Sequence, residues 1–123
     1  MKIAVIGSRQ VSGDVTAQIL QELPAGVSEI VSGGAQGVDT AAQKAAEILG
    51  IPLKVFRPDY ERYGRQAPLI RNIEILQYAD EVLAFWDGES KGTAYTIRYA
   101  QKQGKPLTVH RLQPQEEHPR ATD

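Results

Sequence analysis

"VSGGAQGVDTAA", residues 31–42, sets three glycines within five positions where an apolar run gives way to a helical pattern. Glycine costs about 0.5–1 kcal/mol relative to alanine inside a regular element. The cluster therefore implies a tight turn, close approach of another body to the bare backbone, or both. Outward from it, the chain alternates short apolar runs with amphipathic stretches. "KIAVIG" (2–7), "EIVSG" (29–33), "PLKVF" (52–56), "EVLAFW" (81–86) and "PLTVH" (106–110) read as strands. Between them lie four helical patterns. Residues 13–23 carry Val15, Ile19, Leu20 and Leu23 on one stripe after Ser12 as N-cap, and 38–49 end at Gly50 ahead of Pro52. Pro68 to Tyr78 and Thr93 to Gln103 complete the set, and "RPDYERYGRQA" (57–67) reads as a polar connection.

Strands that alternate with helices predict an α/β fold, a doubly wound parallel sheet with right-handed crossovers. The expected strand order is 3-2-1-4-5, the five-stranded form of the Rossmann arrangement. Residues 1–110 form one nucleotide-binding domain in this reading, and 111–123 form a polar tail. Ligands in such sheets bind beyond the carboxyl ends of the strands, at the switch point. Three loops converge there: "GSR" (7–9), "SGGAQG" (32–37) and "DGESKGT" (87–93).

Helix amino ends leave N–H groups unpaired and carry a partial positive charge, and a glycine-rich entry admits an anion to them. Ser32, Gly33, Gly34 and Gly37 precede the second helix, and Asp87, Gly88, Ser90, Gly92 and Thr93 precede the fourth. Gly7, Ser8 and Arg9 add backbone, a hydroxyl and a guanidinium from the first loop. Asp39, in the first turn of the second helix, faces either the helix dipole, a ribose hydroxyl or Arg9. Arg71 and Asn72 on the third helix reach back over the pocket, Arg71 for a phosphate and Asn72 for a base or sugar. Tyr60 and Tyr63 are candidates for a wall over a base.

Other chemistry is narrowed by absence. There is no cysteine, so thiolate nucleophiles and thiolate metal sites are excluded. His110 and His118 lack metal-ligand spacing, so no metal site is expected. Neither a P-loop nor a GxGxxG after the first strand occurs. No apolar run reaches the roughly 20 residues a membrane span requires, and no signal-peptide pattern opens the chain, so it reads as cytoplasmic. The net charge of −1 provides no global field for nucleic acid, although Arg57, Arg62, Arg65 and Arg71 form a local cluster.

"GSR", "SGGAQGVD", the "RN" pair at 71–72 and "ADEVLAFWDGESKGT" (79–93) together resemble the SLOG superfamily. That group includes the core of DNA-processing protein A (DprA), the LOG-type phosphoribohydrolases and the YpsA-like proteins. The resemblance covers residues 1–110. It implies that Gly33, Gly34, Gly37, Arg71, Gly92 and Thr93 border a pocket for a nucleotide-derived ligand, and that the protein is a homo-oligomer, commonly a dimer. LOG enzymes carry a catalytic glutamate in PGGxGTxxE, and Thr96 occupies that position here. Threonine cannot serve as an acid–base group at neutral pH. DprA, by resemblance, implies single-stranded DNA at the same face.

The leading expectation is a binding module or sensor for a nucleotide or an ADP-ribose-like derivative, with no further cofactor. One alternative is a nucleotide N-glycosidic-bond hydrolase in which Asp39 or Glu89 replaces the missing carboxylate. The other is DprA-like binding of single-stranded DNA.

Overall fold

The computed structural model describes residues 1–11 and 13–112. The cap expected at Ser12 and the tail from residue 113 onward lie outside them. In chain order the elements are β1 (Lys2–Gly7), α1 (Thr16–Glu22), β2 (Glu29–Ser32), α2 (Val38–Leu49), β3 (Leu53–Val55), α3 (Tyr60–Tyr63), α4 (Ala67–Tyr78), β4 (Glu81–Trp86), α5 (Lys91–Lys102) and β5 (Leu107–Arg111). The strands form one parallel sheet in the order β3-β2-β1-β4-β5. This is the α/β Rossmann-like arrangement expected from the alternating pattern.

A central parallel strand is covered on both faces, which is why β1 is apolar throughout rather than alternating. Ile3 and Val5 point into one layer, where they meet Val15 just ahead of α1, Ile19 of α1 and the stripe Val38, Ala41, Ala42, Ala45 and Ala46 of α2. Ala4 and Ile6 point into the other, against Ile75 and Leu76 of α4 and Ile97 and Ala100 of α5. The alanines on α2 let that helix lie close to the sheet, and this closeness recurs at the site.

Boundaries differ from expectation most in four places. α5 begins at Lys91, two residues ahead of Thr93, so Gly92 and Thr93 lie in its first turn. The first helix starts only at Thr16, where the Asp14 carboxylate accepts the Thr16 N–H at 2.9 Å and sets the first turn. The 57–67 connection holds the one-turn helix α3, whose Arg62 N–H is accepted by Asp59, and a 3₁₀ turn at Gly64–Gln66. The last strand continues to Arg111, and the N–H of the buried Leu112 donates to the Trp86 carbonyl at 2.8 Å. β5 therefore ends one residue beyond the strand read from sequence.

Candidate functional site at the switch point

The chain reverses its winding direction between β1 and β4, and Ser8 sits directly beyond that point. Its N–H donates to the Phe85 carbonyl at 3.1 Å, and its carbonyl accepts the Val38 N–H at 3.1 Å. Its Oγ accepts the Asp87 N–H, also at 3.1 Å. One buried serine thus ties the ends of β1 and β4 to the start of α2. Trp86 secures the same loop from the other side, its indole N–H donating to the Ser90 carbonyl at 3.0 Å.

Beyond this junction lies an open cavity of about 540 Å³. Of the residues singled out from sequence, Gly7, Arg9, Gly33, Asp39, Arg71, Asn72, Asp87, Glu89, Ser90, Gly92 and Thr93 line it. Ser8, Ser32, Gly34, Gly37 and Gly88 do not. The cavity also has Gln10, Pro68, Leu69 and Thr96 in its wall. The first three carry no motif signal and join the site only because the β1–α1 loop and the start of α4 meet there. Tyr60 and Tyr63 are not part of the lining.

The glycines of "SGGAQG" face protein. A Cβ at Gly33 would stand 2.7 Å from Arg71 Nη1, and one at Gly34 would stand 2.8 Å from Arg57 Nη1 and Val55. At Gly37, a Cβ would run into the backbone carbonyls of Ser8 and Arg9. The close approach implied by the glycine cluster is therefore that of the chain's own α4, β3 and β1–α1 loop. Ser32 serves the turn, its Oγ accepting the Gly34 N–H at 3.2 Å. Gly88 accommodates the Arg111 guanidinium at a φ of +86°. Gly92 differs, because a Cβ there would meet open space at the cavity wall.

The two helix amino ends differ accordingly. At α2 the Val38 N–H is taken by Ser8, the Asp39 N–H bonds the Gln36 carbonyl at 3.3 Å, and Asp39 Oδ2 accepts the Ala35 N–H at 3.0 Å. At this end the Ala35, Val38 and Asp39 amides are thus taken by the protein's own groups. At α5, the N–H groups of Lys91, Gly92 and Thr93 have no protein acceptor among the described residues. Ser90, Gly92, Thr93 and Thr96 turn that end toward the cavity.

Arg71, only 7% exposed, lines the same cavity. Its Nη1 donates to the Gly33 carbonyl at 2.6 Å and the Phe56 carbonyl at 3.3 Å, and its Nε to Asn72 Oδ1 at 2.8 Å. Asn72 Nδ2 donates in turn to Thr96 Oγ1 at 2.9 Å, and that hydroxyl donates to the Gly92 carbonyl at 2.9 Å. A continuous hydrogen-bonded chain therefore runs from the β2–α2 loop through α4 to the first turn of α5. Nη2 of Arg71 has no protein acceptor among the described residues. The one Lys or Arg ion pair within 4 Å among those residues is Lys44–Asp14, so no carboxylate pairs with Arg71 directly.

Three carboxylates share the cavity. Burial raises the Asp39 carboxyl above its usual range, opposed by the Ala35 amide and the charges of Arg71 and Arg9. Burial acts on Asp87 in the same sense, but the Ser90 and Glu89 amides, each donating to Oδ1 at 2.8 Å, outweigh it and hold that carboxyl below the usual range. Glu89 is exposed on the rim. Thr96, at the position of the LOG glutamate, is buried and occupied with Asn72 and Gly92, so it brings no carboxylate to the cavity. Among the described residues no group of three or more His, Asp or Glu is arranged to hold a metal. None of their helices is long and apolar enough to cross a membrane.

The Gene 61 protein of Mycobacterium phage D29 is 38% identical over 100 residues, covering 76% of this chain and 79% of that protein. A family model, DNA recombination-mediator protein A, matches residues 1–52. The chain belongs to the SLOG superfamily and has the DprA-type core. Two solved structures share this SLOG fold. DprA from Streptococcus pneumoniae aligns over 88% of this chain with a TM-score of 0.73 and 23% identity. DprA from Helicobacter pylori, described for its single-stranded DNA binding mode, aligns over 89% with a TM-score of 0.69 and 27% identity. The SLOG chain spans 49% and 64% of those two proteins, respectively.

Proposed function

We propose that this SLOG chain binds single-stranded DNA, with one backbone phosphate seated between Arg71 and the amino end of α5. Arg71 carries the reading. A buried cation is costly unless it is paired, and here the guanidinium is held in place by backbone carbonyls in the wall of the cavity, with no acceptor for Nη2 among the described residues. Gly92 and Thr93, whose amides have no acceptor among the described residues, line the same cavity, and such amides suit the oxygens of a phosphate. Arg9 and Gln10, exposed on the opposite rim, would follow the strand away from the cavity. The single-stranded DNA binding mode of the Helicobacter pylori protein supports the choice of a polynucleotide.

The cavity volume also lies in the ordinary range for small ligands, about 300–1,000 Å³, which favours a free nucleotide derivative as the second reading. Fluorescence anisotropy with a short labelled oligothymidylate separates the two. The DNA reading predicts affinity that falls as salt rises, because phosphate contacts release counterions, and a loss of about tenfold in Arg9→Ala. An affinity indifferent to salt and unchanged in both Arg9→Ala and Arg71→Met overturns it. A thermal shift with ADP-ribose or AMP, and none with the oligonucleotide, selects the second reading.

A further inference from the structure

Three glycines in the loops beyond the sheet are each covered by an arginine from a distant part of the chain. Arg71 of α4 crosses Gly33, Arg57 crosses Gly34, and Arg111 at the end of β5 crosses Gly88. Gly34 and Gly88 hold φ values of +71° and +86°, and a Cβ on either would meet the guanidinium beside it. Arg71 is buried in the cavity wall, whereas Arg57 and Arg111 are exposed and stand outside that wall. Both mark the carboxyl edge of the sheet. Arg57 follows Phe56, whose N–H donates to the Ser32 carbonyl at 2.9 Å, and Arg111 lies in register with Trp86, the last residue of β4. They come from the outer strands' ends and lean onto the loops that follow β2 and β4, so β1 lies between them. Among the described residues no carboxylate comes within 4 Å of either guanidinium. In the same segments the Asp59 and Asp87 carboxylates accept backbone amides, and the exposed Glu61 and Glu89 are accompanied by the exposed Arg62 and Lys91.

We infer that Arg57 and Arg111 hold phosphates on either side of the one seated at Arg71, so that a single strand crosses the carboxyl edge of the sheet from β3 to β5. The inference rests on the single-stranded DNA reading above and gives that ligand its path and length. A guanidinium set against backbone, with no carboxylate beside it, keeps its charge and its donors for phosphate oxygens. Packing against a bare glycine also restricts a side chain that is otherwise costly to order, so less entropy is lost when the phosphate arrives. On the β5 flank the Trp86 ring lies 5.7 Å from the Arg111 guanidinium carbon and steadies it from a second direction. Neighbouring strands lie about 4.8 Å apart, which puts roughly 10 Å between the ends of β2 and β4 and roughly 19 Å between those of β3 and β5. At about 3.4 Å per stacked nucleotide, this edge spans roughly three to six nucleotides.

The test follows labelled oligothymidylates, from dimer to decamer, by fluorescence anisotropy on the full chain over a salt series. Affinity should climb with length to about six nucleotides and level off beyond. Each phosphate contact contributes about 0.7 to the slope of log affinity against log salt. Arg57→Gln and Arg111→Gln should each lower that slope by about 0.7 for the decamer and weaken its binding about threefold to tenfold. Neither should alter binding of the dimer, which reaches only the central seat. Arg57→Lys and Arg111→Lys keep the charge and should retain the slope. Lys102→Gln, at the far end of α5, should change nothing. Unchanged slopes in both glutamine variants, with Arg71→Met still weakening binding, overturn the crossing and leave the central phosphate seat standing. A loss confined to one of the two overturns it as well and places the strand on that flank alone. No binding of any length by the unaltered protein removes the DNA reading and the path together.

Discussion

Arg71 Nη1 lies 2.6 Å from the carbonyl oxygen of Gly33, and a methyl group at Gly33 would stand 2.7 Å from the same nitrogen. The two residues are 38 positions apart, and each accounts for the other. The glycine is bare so that the guanidinium can cross it, and the guanidinium is oriented by the glycine's carbonyl.

Gly33→Ala should therefore cost stability and ligand affinity together, because the added carbon displaces a buried guanidinium rather than a flexible surface chain. Overpacking of this kind costs about 1–3 kcal/mol. Gly92→Ala, where the new carbon meets open space within helix α5, should leave the melting temperature unchanged or raise it. Paired thermal melts check this, and equal destabilisation in both variants contradicts it.

Thr96 is 1% exposed and accepts from Asn72 while donating to Gly92. Thr96→Val keeps the shape but leaves Asn72 Nδ2 without its acceptor, a loss of about 1–3 kcal/mol. Thr96→Ser should restore most of it. Because Asn72 Oδ1 orients Arg71, the valine variant should also weaken oligonucleotide binding, and the serine variant should not. Chemical denaturation and anisotropy on the same pair measure both effects.

Ser8→Ala removes the acceptor of the Asp87 N–H and leaves the backbone bonds of residue 8 in place. A stability loss of about 1 kcal/mol is expected, with hydrogen exchange accelerated at Asp87 and Ser90 rather than in β1. Acceleration spread evenly over the sheet would assign Ser8 a global role instead.

Asp39 gives a pH signature. Burial raises its carboxyl above the ordinary value of 3.8, so the folded state retains a proton that the unfolded chain has released. This group's favourable contribution is complete below the unfolded value and disappears as pH rises through the folded one. Asp39→Asn, which keeps an oxygen for the Ala35 N–H, should raise the melting temperature at pH 7. The gain should shrink to nothing near about pH 4. A constant difference across that range would show that desolvation of the charge is not the cause.

The residues' own periodicity carried most of the fold. The bounds of β1, α2 and β4 agree with the pattern read from sequence, and so does the strand order. Apolar runs too short for helices, separated by stripes at helical spacing, permit few topologies once crossovers must be right-handed. The gathering of three loops at one end follows from that order alone. The 57–67 segment was less legible, because α3 is a single turn set by Asp59 and has no buried residue to mark a periodic face.

What sequence determined by itself was the sheet, its two covered faces and the set of loops that meet at the switch point, since these depend on local patterns of burial and turning. Tertiary structure decided which helix end stays open. Gly33, Gly34 and Gly37 look equally suited to an anion in the linear chain, yet Arg71, Arg57 and the Ser8 carbonyl fill the space their missing side chains leave. The Gly92 and Thr93 amides at the start of α5 have no acceptor among the described residues, and Arg71 lines the same cavity. Glycine marks a close approach by its lack of a Cβ, but only the packing of distant segments decides whether the approaching group is protein or ligand.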